Sequence, residues 1–172
     1  TDVVSAGART AKQEKVQVVI GLGGGSSMDT AKAIAVEASH EGTAWDYLYY
    51  KTPPTDKTLP IIAISTTAGT GSQATSVAVV TNSAKKDKSA LSNCNLFPRI
   101  AIVDPEVTAT MPASVTAQTG FDAFCHNFES YLSVRASAMV EALALDAIRR
   151  VIEYLPRAVG EGTDMEARTQ MA

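Results

Sequence analysis

The run "VVIGLGGGSSMDTAKAIAV" takes a β-branched apolar segment straight into Gly23-Gly24-Gly25, and then into helical spacing with Met28, Ala31, Ile34, Ala35 and Ala38 on one face. A strand that turns directly into an apolar helix restricts the chain to an α/β layered fold. Ser26 and Asp29 form an S-x-x-D pair, which reads as a side-chain cap starting the helix after the glycines. Glycines here let a ligand approach the backbone, and the unpaired amides and dipole of the helix start attract phosphate. The alternative is a tight turn that uses glycine only for its permissive φ. Ser26 stands where the third glycine of a Rossmann fingerprint would be, and no Gly-Lys-Ser/Thr follows, so neither standard dinucleotide fingerprint nor P-loop is matched.

Three more segments read as strands: Leu59 to Ile64, Ser76 to Thr81 and Arg99 to Val103, with Val16 to Ile20 as the first. Their near-continuous apolar character suits strands covered on both faces of a parallel sheet. After Asp104-Pro105 the pattern turns helical. Phe121, Phe124, Cys125, Phe128 and Leu132 make one apolar stripe, and Met139, Leu143, Ala147 and Val151 another that ends before Pro156. We place the boundary near Met111-Pro112, giving an α/β part over 1–111 and the start of an all-helical part over 112–172. Both ends read as cut, since a parallel sheet needs several strand-helix units and two long helices make little core.

Composition excludes several classes. Fifteen basic against eighteen acidic residues give a net charge of -3 without a basic cluster beyond Lys85 to Lys88, which argues against nucleic acid or an anionic membrane as partner. The apolar runs are shorter than the roughly 20 residues that span a bilayer. Cys94 and Cys125 make no disulfide framework, so a reducing, cytoplasmic setting is expected.

A second loop, "ISTTAGTGSQ" from Ile64 to Gln73, leaves an apolar strand rich in hydroxyls and glycine, where α/β folds bind ligands; an ordinary solvated loop is the plainer reading. Lys88, placed after a strand, reads as a phosphate or ribose contact or a solvated charge. In "TGFDAFCHNFESY" a spacing of four puts Asp122 and His126 on one helix face, which suits a divalent metal or a helical ion pair. His40, at the end of the first long helix, reads as a helix-end residue rather than a ligand.

Together the blocks "GGGSSMDTAK", "PIIAISTTAGTGSQ", "IVDPEVTATMP" and "TAQTGFDAFCHNFESY", in that order, resemble the iron-containing (group III) alcohol dehydrogenases from about Val16 to about Leu155. The resemblance implies a dehydroquinate synthase-like architecture: an α/β dinucleotide-binding domain, a helical domain, and a divalent metal in the cleft between them. It implies that Gly23, Gly24, Gly25 and Ser26 cradle the cofactor pyrophosphate with Asp29 close by. Thr66, Thr67 and Thr70 would line the adenosine and ribose side, and Lys88 would contact the cofactor. Asp122 and His126 match the first two metal ligands, and the family's two further histidines have no counterpart here. The implied cofactors are NAD or NADP and Fe²⁺, with Zn²⁺ as the other metal option. The implied reaction is hydride transfer between an alcohol or aldehyde and nicotinamide, with a glycerol or 1,3-propanediol type polyol dehydrogenase as alternative and a catalytically silent nucleotide-binding fragment as another. Self-association into a homo-oligomer is compatible with it. Gln73 replaces the family's usual glutamate, and Asn127 its common alanine. With half of the metal shell, the 172-residue chain alone is expected to be inactive.

Overall fold

The computed structural model describes residues 2–50 and 52–172. These divide into two compact units, one running through Ser65 and resuming over Gly71–Ile102, the other joining Thr66–Thr70 to Val103–Ala172. This division falls earlier than the composition change at Met111-Pro112, because the 3₁₀ turn Pro105–Thr108 packs with the last helix.

In the first unit, α1 (Asp2–Gln13) precedes β1 (Val19–Gly23), which turns into α2 (Gly25–Ser39). Next come a 3₁₀ helix (Ala44–Tyr50), β2 (Ile61–Ser65), a 3₁₀ turn (Ser72–Ala74), β3 (Val77–Asn82), β4 (Asp87–Ser92) and β5 (Ile100–Val103). Strands β1 and β2 are parallel, in register from Val19↔Ile61 to Gly23↔Ser65, and the sheet order is β1-β2-β5. The α/β class expected from the glycine run is therefore present. Helix α2 is buried on nearly all sides, with Met28, Ala31, Lys32, Ala35, Val36 and Glu37 inside. It packs tightly on β1: a Cβ added at Gly21 would stand 2.9 Å from Ala31 Cβ and 3.0 Å from the Met28 Cα. The main core joins α2 to the hairpin strands through Val36, Leu48, Val80, Leu91 and Leu96.

Two expectations about the sheet are corrected. The third expected strand does not join the parallel sheet; β3 pairs antiparallel with β4, from Val77↔Ser92 to Asn82↔Asp87. Asn82 Oδ1 accepts the Lys85 N–H at 3.0 Å, and Lys86 adopts the left-handed region at φ 50°, which closes the hairpin. The polar run "DKSALS" of β4 carries too little apolar character to announce a strand. Nor is β1 covered on both faces: Ile20 and Leu22 are 57% and 61% exposed, while Gly21 between them is buried under α2.

His40 does occupy the end of α2. Its Nε2 accepts the Thr55 N–H at 3.0 Å, so Nδ1 carries the proton and donates to the Val36 carbonyl at 2.9 Å. The imidazole thus ties the last turn of the helix to the segment around Thr55.

The second unit is helical: α3 (Ala113–Leu132), α4 (Ala138–Gly160) and α5 (Met165–Met171). Helix α4 continues through Pro156 to Gly160 rather than stopping before it. The expected apolar stripe of α3 is also not a buried one, since Phe121 and Leu132 are each 62% exposed. The buried positions are Thr116 and Gly120, small residues that let α4 approach, with Leu155 lying where a Gly120 side chain would be. The Phe121, Phe124 and Phe128 rings stack instead along the helix at 5.9 Å centroid spacing. Buried Arg168 fastens α5, donating to the Gly162 carbonyl, the Thr116 hydroxyl and the Met111 carbonyl at 2.9, 2.9 and 3.2 Å. Among the described residues no helix is long and apolar enough to cross a membrane.

Close packing at Gly21 and open space at Gly160 predict opposite effects of one added methyl group. Gly21→Ala should destabilise by about 1–3 kcal/mol through overpacking. Gly160→Ala, with nothing within 4 Å, should be neutral or stabilising by up to about 1 kcal/mol. Urea denaturation of the two variants checks both signs.

Candidate functional site

The glycine turn is built as an open helix start. Gly23 has φ 140°, a conformation a side chain would strain, and Gly24 is the N-cap in extended geometry. The expected Ser26/Asp29 cap does not form: α2 begins at Gly25 with no side-chain cap. Ser26 is exposed, and its carbonyl accepts the Thr30 hydroxyl at 2.7 Å. First-turn amides without a side-chain acceptor, at the positive end of a 15-residue helix, are suited to an anion such as pyrophosphate.

Asp29 faces into the protein. Its Oδ1 accepts the Ser72 hydroxyl at 2.7 Å and its Oδ2 the Val79 N–H at 3.0 Å. One turn further along α2 lies Lys32, fully buried, which sequence reasoning passed over. Its ammonium donates to the carbonyls of Ser72, Thr75 and Val77 at 2.7, 2.8 and 2.7 Å. Burial pulls the Lys32 pKa down from 10.5 to about 8, against the opposing pull of Asp29, so the group is charged at neutral pH. The available signal was a lysine placed between Ala31 and Ala33 in the alanine-rich stretch of the helix. On the same run, Gln73 Oε1 is a buried side-chain oxygen without a partner.

Lys88 lies within β4, opposite Thr81, and is exposed, rather than following a strand. Thr66, Thr67 and Thr70 belong to the second unit, on a loop that meets α3 at Gly69. Gly69 has φ 99°, and a Cβ there would run into the Thr119 carbonyl and stand 3.3 Å from Asp122 Oδ2. Only glycine permits that approach.

Asp122 and His126 are brought together as expected, with Oδ1 and Nε2 3.8 Å apart on the surface of α3. The Gly69 carbonyl accepts from His126 Nδ1 at 3.2 Å, which places a proton on Nδ1 and turns Nε2 toward Asp122. One carboxylate and one imidazole are donors that iron and zinc both accept, and a backbone carbonyl behind the imidazole is the usual support for such a ligand. No group of three or more His, Cys, Asp or Glu side chains able to hold a metal occurs among the described residues. The donor types fit a divalent ion, and their number supplies part of a shell.

An open glycine turn beside a parallel sheet and an oriented Asp/His pair on a helix are features whose chemistry suits an anion and a divalent ion. Residues 1–105 match the family model for iron-containing alcohol dehydrogenase, and 116–172 the C-terminal model of the Fe-containing alcohol dehydrogenase family. The chain belongs to the iron-containing alcohol dehydrogenase family. It is 44% identical over 161 residues to the NAD-dependent methanol dehydrogenase of Bacillus methanolicus, covering 94% of this chain and 42% of that protein. Against the 1,3-propanediol dehydrogenase of Klebsiella pneumoniae the identity is 37%, covering 94% and 41%. A sulfoacetaldehyde reductase from Bifidobacterium kashiwanohense in complex with NAD+ superposes with a TM-score of 0.94 at 38% identity, over 98% of this chain and 45% of that one. The chain thus spans less than half the length of these relatives.

Two predictions arise from this geometry. Gly69→Ala should push the loop off α3 and release His126; long-range ¹⁵N NMR should show Nδ1-protonated imidazole in the wild type and a tautomer mixture in the variant. For Lys32, the unfolded chain keeps a proton that the folded chain has lost between pH about 8 and pH 10.5. Stability contributed by this group therefore rises with pH through that window, and the unfolding free energy of the wild type relative to Lys32→Met should increase across it in urea titrations.

Proposed function

We propose that this chain forms the nucleotide-binding part and the first metal-binding helix of an oxidoreductase that moves hydride between an alcohol or aldehyde and a nicotinamide cofactor. The reading rests on one observation: the uncapped start of α2 after Gly23 and Gly24, carried in one chain with an Asp122/His126 pair whose imidazole is already held through Nδ1. Likeness to an NAD+-bound reductase over nearly the whole chain supports the nucleotide assignment, and NADP is the other candidate.

In this reading residues 1–111 are the dinucleotide-binding domain. Gly23, Gly24, Gly25 and Ser26 hold the pyrophosphate by backbone amides, Asp29 supports them from inside, and Thr66, Thr67, Thr70 and Lys88 contact the rest of the cofactor. Residues 112–172 begin the helical domain, where Asp122 and His126 supply two ligands to Fe²⁺, with Zn²⁺ as the alternative. A bound divalent ion would polarise the alcohol or carbonyl oxygen, and the hydride chemistry itself is that of the nicotinamide. The Gly69 carbonyl holds the His126 ring through Nδ1 and leaves Nε2 as the nitrogen available to a metal. The substrate is a small alcohol or aldehyde, a polyol such as 1,3-propanediol included, given the similarity to dehydrogenases of methanol and 1,3-propanediol. The free thiols Cys94 and Cys125 support a reducing, cytoplasmic setting, and self-association is to be read from the same preparations.

A second reading, nucleotide binding without turnover, is favoured for the 172-residue chain by the lack of a three-donor group among the described residues. Both are tested on the purified chain by NADH fluorescence titration and elemental analysis for iron and zinc. Saturable NADH binding, with metal retention lowered by Asp122→Ala and His126→Ala, is expected; alcohol-dependent NADH formation is not expected without further ligands. Absence of NADH and NADPH binding overturns the nucleotide assignment.

A further inference from the structure

We propose that Asp29 and Lys32 are positioning residues that fix the second wall of the nucleotide site, the run from Ser72 to Val79, to the helix whose first turn holds the phosphate. The inference rests on the nucleotide reading above, and assigns to the pair a role other than ligand contact.

The two side chains stand three residues apart on the face of α2 turned toward this run. Between them they engage six groups on it: the Ser72 hydroxyl and the Val79 N–H on the carboxylate, and the Ser72, Thr75 and Val77 carbonyls with the more distant Thr75 hydroxyl on the ammonium. All three ammonium protons are used. From Val77 onward the run is held by pairing with β4, but its first half, Ser72 to Thr75, has little backbone support of its own. Gly71 is left-handed at φ 61°, Ser72–Ala74 is a single 3₁₀ turn, Thr75 is extended, and the Thr75 N–H reaches the Ser72 carbonyl only at 3.5 Å. Carbonyls in such a segment need outside donors when buried.

A buried ammonium is an expensive way to hold a mere turn, since a hydroxyl or a water would satisfy the same carbonyls. What the ammonium adds is a rigid three-point hold from a helix that is itself fixed on β1. The hydroxyl-rich loop leaves β2 at Ser65, which is paired with Gly23, and returns to the first unit at Gly71, before clamped Ser72. Gln73 rides on the clamped run with its Oε1 buried and without a partner among the described residues.

The test compares NADH with inorganic pyrophosphate as ligands of the wild type, Lys32→Met and Ser72→Ala, with circular dichroism and thermal melting as controls of folding. Pyrophosphate should bind all folded variants alike, because the Gly23 to Ser26 amides are untouched. NADH affinity should fall by about tenfold in Lys32→Met, equivalent to about 1.4 kcal/mol, and by a smaller factor in Ser72→Ala. Ser72→Ala keeps the ammonium clamp, so it carries the test if Lys32→Met does not fold. Unchanged NADH affinity in a folded variant overturns the inference, as does an equal loss of both ligands, which would mark a purely structural role. If the wild type binds pyrophosphate but no dinucleotide, the nucleotide reading itself is wrong and the inference falls with it, without any variant being needed.

Discussion

Helix α2 is the element on which the first unit rests, and its constraint is burial on nearly every side. A helix in that position cannot be amphipathic in the ordinary sense, so it is made of alanine, valine, isoleucine and methionine, with glycine opposite it on β1. Small residues let helix and strand backbones approach, which is why a methyl group at Gly21 finds no room. The few polar side chains left inside must then find partners within the protein. Glu37 takes the Ala44 N–H at 2.8 Å, Lys32 takes three carbonyls, and Asp29 takes a hydroxyl and an amide. Glu37 reaches the start of the 3₁₀ helix at Ala44, while Lys32 and Asp29 both reach the run from Ser72 to Val79, so the helix organises irregular parts of the unit as well as the sheet.

The second unit solves a similar problem with fewer means. Gly120 and Thr116 give α3 a surface that α4 and Arg168 can meet closely, while the phenylalanines of α3 lie on the outside, stacked on one another. The same helix carries Asp122 and His126, and Gly69 repeats the device seen at Gly21, a glycine where backbone must touch backbone. In one case the close approach fixes a strand on a helix, and in the other it brings a carbonyl to an imidazole.

Much of this was legible in the residues. The apolar run into three glycines announced β1 and α2, and the four-residue spacing of Asp122 and His126 announced a shared face, because both depend on local periodicity alone. The hairpin strand β4 was not legible, since "DKSALS" owes its extended form to pairing with β3 and to the Asn82 turn rather than to its own propensity. The exposure of the Phe121 stripe was hidden as well, because periodicity reports that a face is apolar and not what covers it. Lys32 escaped for the opposite reason: a lysine in a helix is ordinarily solvated, and only the path of the chain from Ser72 to Val77 shows where its ammonium points.

The failed cap is the most instructive of these differences. Had Ser26 or Asp29 closed the start of α2, as the S-x-x-D pattern suggests, a side-chain oxygen would have satisfied the very amides that an anion needs. Diverting Asp29 to Ser72 and Val79 leaves the cap to Gly24, which has no side chain to offer. The helix keeps its positive end uncommitted, and it loses the stabilisation of about 1 kcal/mol that a capping side chain gives. That loss is set against the contacts Asp29 makes elsewhere, so one residue both leaves the turn open and secures the segment beside it. A sequence pattern that usually means a closed helix end here belongs to an open one, and the distinguishing feature is the extended Gly24 that precedes it.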